Sequence, residues 1–142
     1  MLSPQGFRPE FNAIGRALRD IVKEGFVTEL DPYGNPWPRL ARSTVRFKAK
    51  NGVANPEGIL KETGALSNSF QYRALSNGVR LFSTRVFDDG TTAEIHQEGG
   101  EHPVSGNIIP QRRMLPDDGN WPPEWENVVD RIIGDGIDRL FP

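Results

Sequence analysis

Cysteine is absent from the 142 residues of the chain. That excludes a disulfide framework, a cysteine-ligated zinc, an iron–sulfur cluster and a thiol nucleophile. Long apolar runs are absent too, so no segment reads as a membrane-spanning helix. The first residues, Met1-Leu2-Ser3-Pro4-Gln5-Gly6, lack a basic start followed by an apolar stretch, so no secretory signal is expected. These absences predict a soluble chain made and used in a reducing cytoplasm. The length suits a single domain, residues 1–142.

Catalytic patterns are missing as well. His96-Gln97-Glu98 has the H-x-E spacing of nucleotide deaminases, but their zinc site also needs P-C-x-x-C, which a chain without cysteine cannot supply. His96, Glu98, Glu101 and His102 offer nitrogen and oxygen ligands, yet no H-E-x-x-H spacing sets two of them on one helix face. The acid pairs Asp88-Asp89 and Asp117-Asp118 sit beside glycine or proline, where such side chains bond the local backbone of turns. Serines 43, 67, 69, 76, 83 and 105 lie in no G-x-S-x-G context, and no glycine-rich phosphate loop is present. The expectation is a chain with no cofactor, no metal and no catalytic residue.

What the chain has in excess is glycine and proline, 15 and 12 residues. They cluster at 32–38, 51–58, 99–110 and 116–123, which read as loops. Its formal charge of −2 is unevenly spread. Residues 1–85 hold thirteen Lys/Arg against seven Asp/Glu, or +6. Residues 86–142 hold four against twelve, or −8. The two halves either neutralise each other within one fold or present complementary surfaces for head-to-tail assembly.

Periodicity supplies the elements. Phe11, Ile14, Leu18, Ile21 and Val22 form one helical stripe over 9–25, with Gly25 as the stop. Residues 39–49 read as a helix, and Arg39, Arg42, Arg46, Lys48 and Lys50 make the stretch basic with no acid among them. Thr63 is placed to cap a short helix near Gly64. Gln71–Ser76 and Val79–Arg85 flank Asn77-Gly78, a strong hairpin signal. Residues 91–98 suit a short helix, and 107–109 with 112–115 an edge strand broken at Pro110. From Pro122-Pro123 onward Trp125, Val128, Val129, Ile132, Ile133, Ile137, Leu140 and Phe141 keep helical spacing, which predicts a packed C-terminus. The fold class is α+β, a small antiparallel sheet packed by an N-terminal and a C-terminal amphipathic helix.

Five segments occur in order: Gly34-Asn35-Pro36-Trp37-Pro38-Arg39-Leu40; Ser43-Thr44 with Lys48; Ile59-Leu60-Lys61-Glu62-Thr63-Gly64-Ala65-Leu66; Ala93-Glu94-Ile95-His96-Gln97-Glu98-Gly99; and Ile109-Pro110-Gln111-Arg112-Arg113-Met114-Leu115. Together they resemble the virion morphogenesis (tail-completion) family of tailed phages and prophages, including Mu-like ones. Ala93-Glu94 replaces the usual aromatic-alanine pair, and Arg113 stands where proline is usual. The resemblance implies a structural protein of the neck or tail, assembled in the host cytoplasm and present in the virion. It implies tail completion or head–tail joining in a homo-oligomeric ring, a hexamer by the symmetry of tail tubes. The partners would be other neck and tail proteins, with duplex DNA near the channel and no membrane.

The motif residues then acquire expected roles. Trp37 and Leu40 close a loop onto the core, Gly64 serves a tight helix entry and His96 orders the chain after the hairpin by hydrogen bonding. Gly34, Leu60, Thr63, Leu66, Gln97, Gly99 and Pro110 are structural. Arg39, Arg42, Arg46, Lys48, Lys50, Arg112 and Arg113 form an assembly or channel surface, the last two holding a carboxylate of a neighbour or of their own domain. The rival reading is a small DNA-binding module built on Arg39 to Lys50.

Overall fold

Ile14, Leu18, Val22 and Phe26 recur every four residues, and all four are buried in the first helix, α1 (Arg8–Thr28). This is the stripe an amphipathic helix presents to a core. The computed structural model describes residues 6–60 and 64–142, so the cap expected at Thr63 lies outside the described residues. The helix does not stop at Gly25. It runs to Thr28, and the chain leaves at Glu29, whose φ is 59° and whose N–H donates to the Gly25 carbonyl at 2.8 Å. A left-handed residue commonly closes a helix, but here a glutamate takes the place usually given to glycine.

The remaining elements are α2 (Arg42–Lys50), α3 (Ala65–Asn68), β1 (Gln71–Ala74), β2 (Val79–Phe82), α4 (Ala93–Glu98), β3 (Gly100–Glu101), β4 (Ile108–Ile109) and α5 (Pro123–Leu140). The fold is α+β, with two antiparallel two-stranded sheets among the described residues, β1–β2 and β3–β4. The chain divides into two compact units. One comprises residues 1–21, 70–82 and 117–142, the other 22–69 and 83–116.

In the first unit the hairpin pairs Tyr72 with Leu81 and Ala74 with Val79. Its inward positions alternate with Gln71, Arg73 and Arg80, as one buried face requires. The turn is one residue earlier than Asn77-Gly78 suggests. The register centres it on Ser76-Asn77, and the Leu75 N–H donates to the Gly78 carbonyl at 2.7 Å. Neither Asn77 nor Gly78 takes positive φ, so the mirror-image turn that favours an Asn-Gly pair is not used.

Helix α1 approaches this hairpin at Gly15, where an added Cβ would fall within 3.0 Å of three Tyr72 side-chain carbons. The Arg19 guanidinium lies over the same ring, 4.9 Å from its centroid. Helix α5 meets α1 at Gly136, where an added Cβ would lie 2.5 Å from Glu10 Cγ. Beside it Arg139 donates to both Glu10 carboxylate oxygens, at 2.8 and 3.0 Å, and to the Gly6 carbonyl at 2.8 Å. That contact holds the Glu10 carboxyl below its ordinary pKa.

The stripe of α5 is covered unevenly. Trp125 is buried, packing edge-on against Trp121 at 5.5 Å, and Val128, Val129, Ile132 and Ile133 are half-buried. Ile137 is 46% exposed and Phe141 62%, so the packing expected of the C-terminal turn stops short of them.

Candidate functional site

The second unit is loop-rich, and its order comes from side chains that reach backbone groups far along the chain. The loop after α1 begins as an Asx turn, with Asp31 Oδ1 accepting from the Tyr33 and Asn35 N–H groups at 2.8 and 2.9 Å. Gly34 lies in it with φ 86°. The turn delivers Trp37 into the core, 5.3 Å edge-on to Phe26, with its indole N–H donating to the Arg113 carbonyl at 2.9 Å. Glu29 adds three more bonds, two of them to this loop. Its carbonyl accepts from Trp37 N–H, and its carboxylate accepts from Ile59 N–H at 2.6 Å and from Arg39 at 2.9 Å.

Arg112 is 5% exposed and belongs to this interior. Its Nε donates to the Pro38 carbonyl at 2.9 Å. Burial, with Arg39 nearby, pushes its pKa down. The role expected of it, gripping a carboxylate on an assembly surface, is therefore corrected: backbone carbonyls of the tryptophan loop take the guanidinium. Arg113 is half-buried beside it. Lys48 is corrected in the same way. It is 7% exposed, because its place on α2 points it inward, where Nζ donates to the Gly58 carbonyl at 2.8 Å.

The segment around His96 is bound by its neighbour. Gln97 Oε1 accepts from the Met114 and Leu115 N–H groups at 2.8 and 3.0 Å, while its Nε2 donates to the Leu115 carbonyl at 2.8 Å. One side chain thus replaces the ladder partners that a strand at 112–115 would have used, and those residues form no strand. His96 contributes its carbonyl, which accepts from Arg112 N–H at 2.8 Å. The hydrogen bonding expected of His96 thus runs through its backbone carbonyl, while its Nδ1 is buried without a hydrogen-bond partner. Burial first, then the Arg112 charge, lowers its pKa.

Gly99 needs to be glycine. Its φ is 76°, and an added Cβ would lie 3.1 Å from Gln111 N, where β3 pairs with β4 just before Pro110. Gly64 enters α3 with φ 72°, Leu66 is buried, and Leu60 takes φ 57° after the fully buried Ile59. His102 Nε2 lies 3.3 Å from Asp89 Oδ2, and its Nδ1 accepts from the Val104 and Ser105 N–H groups. Among the described residues no three His, Asp or Glu side chains converge as a metal site would require.

The motif segments therefore converge on a hydrogen-bonded interior. The accessible feature beside them is a groove of about 460 Å³ lined by Arg39, Leu40, Arg42, Val45, Arg46 and Glu57. Helical spacing sets Arg42, Val45 and Arg46 on one face of α2. Arg42, Arg46 and Lys50 are exposed, and Arg39 is exposed while paired to Glu29. Phe47 projects from another side and is 68% exposed. Three guanidinium groups over an aliphatic floor suit carboxylate or phosphate groups attached to an apolar body.

The family model for phage virion morphogenesis matches residues 1–134. The chain belongs to the phage virion morphogenesis family. No curated protein and no solved structure matches it. The match takes in every segment of the interior just described and all of α2. It ends inside α5, before the turn that carries Ile137 and Phe141.

Residue-type reasoning missed Glu29. A carboxylate at the negative end of a helix is electrostatically misplaced. That incongruity, straight after a 21-residue helix, was the available signal. Its partner Ile59 lies thirty residues on, which no local pattern reveals.

Proposed function

We propose that the chain is a non-catalytic structural protein of a tailed-phage virion. It acts in tail completion or in joining the tail to the head, as one subunit of a ring whose six-fold symmetry matches that of tail tubes. The observation that carries this reading is membership of the phage virion morphogenesis family over residues 1–134. Two features support it. The motif residues hold loops together in the interior, where they serve shape rather than chemistry. The accessible α2 groove carries the charge that a contact with another protein surface would use.

The experiment is to locate the chain in assembled particles. Virions made with a labelled chain, imaged by electron microscopy, are expected to show the label as a ring at the head–tail junction or tail end. Particles that assemble with full infectivity in its absence overturn the reading.

A DNA-binding reading draws on one observation: Arg42, Arg46 and Lys50 are exposed on α2, with Phe47 beside them. It requires salt-dependent binding to duplex DNA that Arg42→Ala with Arg46→Ala removes. Lys48 stays intact in that test, because its amine serves the fold.

A further inference from the structure

The two glycines in the C-terminal part of α5 behave differently. Gly136 is used by the fold, since Glu10 occupies the space its Cβ would need. Gly134 has nothing within 4 Å of where its Cβ would be. A glycine inside a helix is unfavourable relative to alanine, and the described residues provide no reason for this one. Helical spacing puts Asp130, Gly134, Ile137 and Phe141 on one strip, with Asp138 beside it. Ile137 and Phe141 are exposed along it, as are Asp130 and Asp138. Of the cations on this helix, Arg139 is engaged by Glu10, and exposed Arg131 beside Asp130 is outnumbered by the exposed Asp130, Asp135 and Asp138. The strip is therefore apolar at its centre, acidic at its margins and bare of Cβ at one point.

The α2 groove is its chemical counterpart. Leu40 and Val45 offer an aliphatic floor, and Arg42 and Arg46 outnumber Glu57 at the rim, where Arg39 is paired with Glu29. We propose that the exposed strip of α5 in one copy docks in the α2 groove of a second copy. Ile137 and Phe141 meet Leu40 and Val45, and Asp130 and Asp138 face Arg42 and Arg46. Gly134 lets the groove rim approach the helix backbone. The two patches are different surfaces of one chain, so the contact is heterologous: the copy that gives its strip keeps a free groove, and the copy that gives its groove keeps a free strip. Repetition closes a ring or grows a filament. This inference rests on the ring reading above and names its contact.

Charge reversal in two separate chains tests it. One chain carries Arg42→Glu and Arg46→Glu, the other Asp130→Lys and Asp138→Lys. None of these four residues is buried, so folding should survive, and circular dichroism checks that it does. Sedimentation velocity of the unmodified chain is expected to show concentration-dependent association. Each reversed chain alone is expected to associate at least about tenfold more weakly. An equimolar mixture of the two is expected to associate again, because every reversed groove then meets a reversed helix. Three outcomes overturn the proposal: an unmodified chain that stays monomeric up to about 1 mM, reversed chains that associate normally, or a mixture without recovery. A ring in imaged virions that assembles normally with either reversed chain removes this contact and leaves the ring reading standing. Charge-dependent association of a chain absent from virions does the opposite.

Discussion

The two units of this chain are held together by different means. In the first, two helices and a hairpin close through absent side chains: Gly15 admits the Tyr72 ring to α1, and Gly136 admits Glu10 to α5. In the second, polar side chains bind backbone groups across loops: Glu29 to Ile59, Arg112 to Pro38, Lys48 to Gly58 and Gln97 to residues 114 and 115. The first arrangement depends on shape and tolerates little added volume. The second depends on satisfying buried donors and acceptors, and fails when one partner goes missing.

The largest expected effect lies in the second unit. Trp37→Ala removes a buried ring, its edge-on contact with Phe26 and its bond to the Arg113 carbonyl. It should destabilise the protein by about 3–5 kcal/mol, measured by urea denaturation. A loss under about 1 kcal/mol would mean that the loop is not a core element. Gln97→Leu comes next. It keeps most of the volume but strands two N–H groups and a carbonyl, for a loss of about 3 kcal/mol at roughly 1 for each group. If instead the apolar replacement is neutral, water reaches these groups and the contrast between the units weakens.

Volume is the test of the first unit. Gly15→Ala should cost about 2 kcal/mol, because the methyl group meets Tyr72 side-chain carbons and the helix must shift. Gly134→Ala is its control on the open side of α5, expected to stabilise the isolated chain by up to about 1 kcal/mol. Equal effects at the two glycines would remove close approach as the first unit's organising feature.

The same difference decides what could be read from the sequence. Periodicity is a property of helices and strands, so α1, α5 and the hairpin were legible, with errors confined to their ends. Gly25 did not stop α1 because Glu29 adopts the left-handed exit instead. The turn slipped by one residue because the hairpin register places Leu75 opposite Gly78. The second unit is organised by bonds spanning ten to seventy-six residues, such as Lys48 to Gly58 and Trp37 to Arg113. Basic residues were read there as a surface because charge is usually exposed. Arg112 and Lys48 are the exceptions, each held by carbonyls that the loops bring to them.

The smallest expected effects are in pH dependence, where Glu10 and His96 act in different windows. Asp89 of the second unit, held below its ordinary 3.8 chiefly by the Thr91 hydrogen bond, shares the acid limb with Glu10. Glu10, in the first, has a pKa held below its ordinary 4.5, chiefly by the Arg139 hydrogen bonds. Its stabilisation is complete above 4.5 and is lost as pH falls through the lower folded value. His96, in the second, has a pKa below its ordinary 6.5 because burial disfavours the imidazolium, with Arg112 adding to it and Asp89 opposing. The unfolded chain then binds the proton first, so stability should begin to fall as pH drops below 6.5. Replacing His96 with Gln, which carries no titrating proton, should flatten the stability curve between pH 7 and 5 and leave its acid limb unchanged. Glu10→Gln should lower stability at neutral pH and flatten part of the limb below pH 4.5. Denaturation midpoints of the three proteins from pH 8 to 3 provide the comparison. Should both substitutions alter the same limb, Glu10 and His96 would not act in different windows, and the units' separate means of cohesion would have to be treated as coupled.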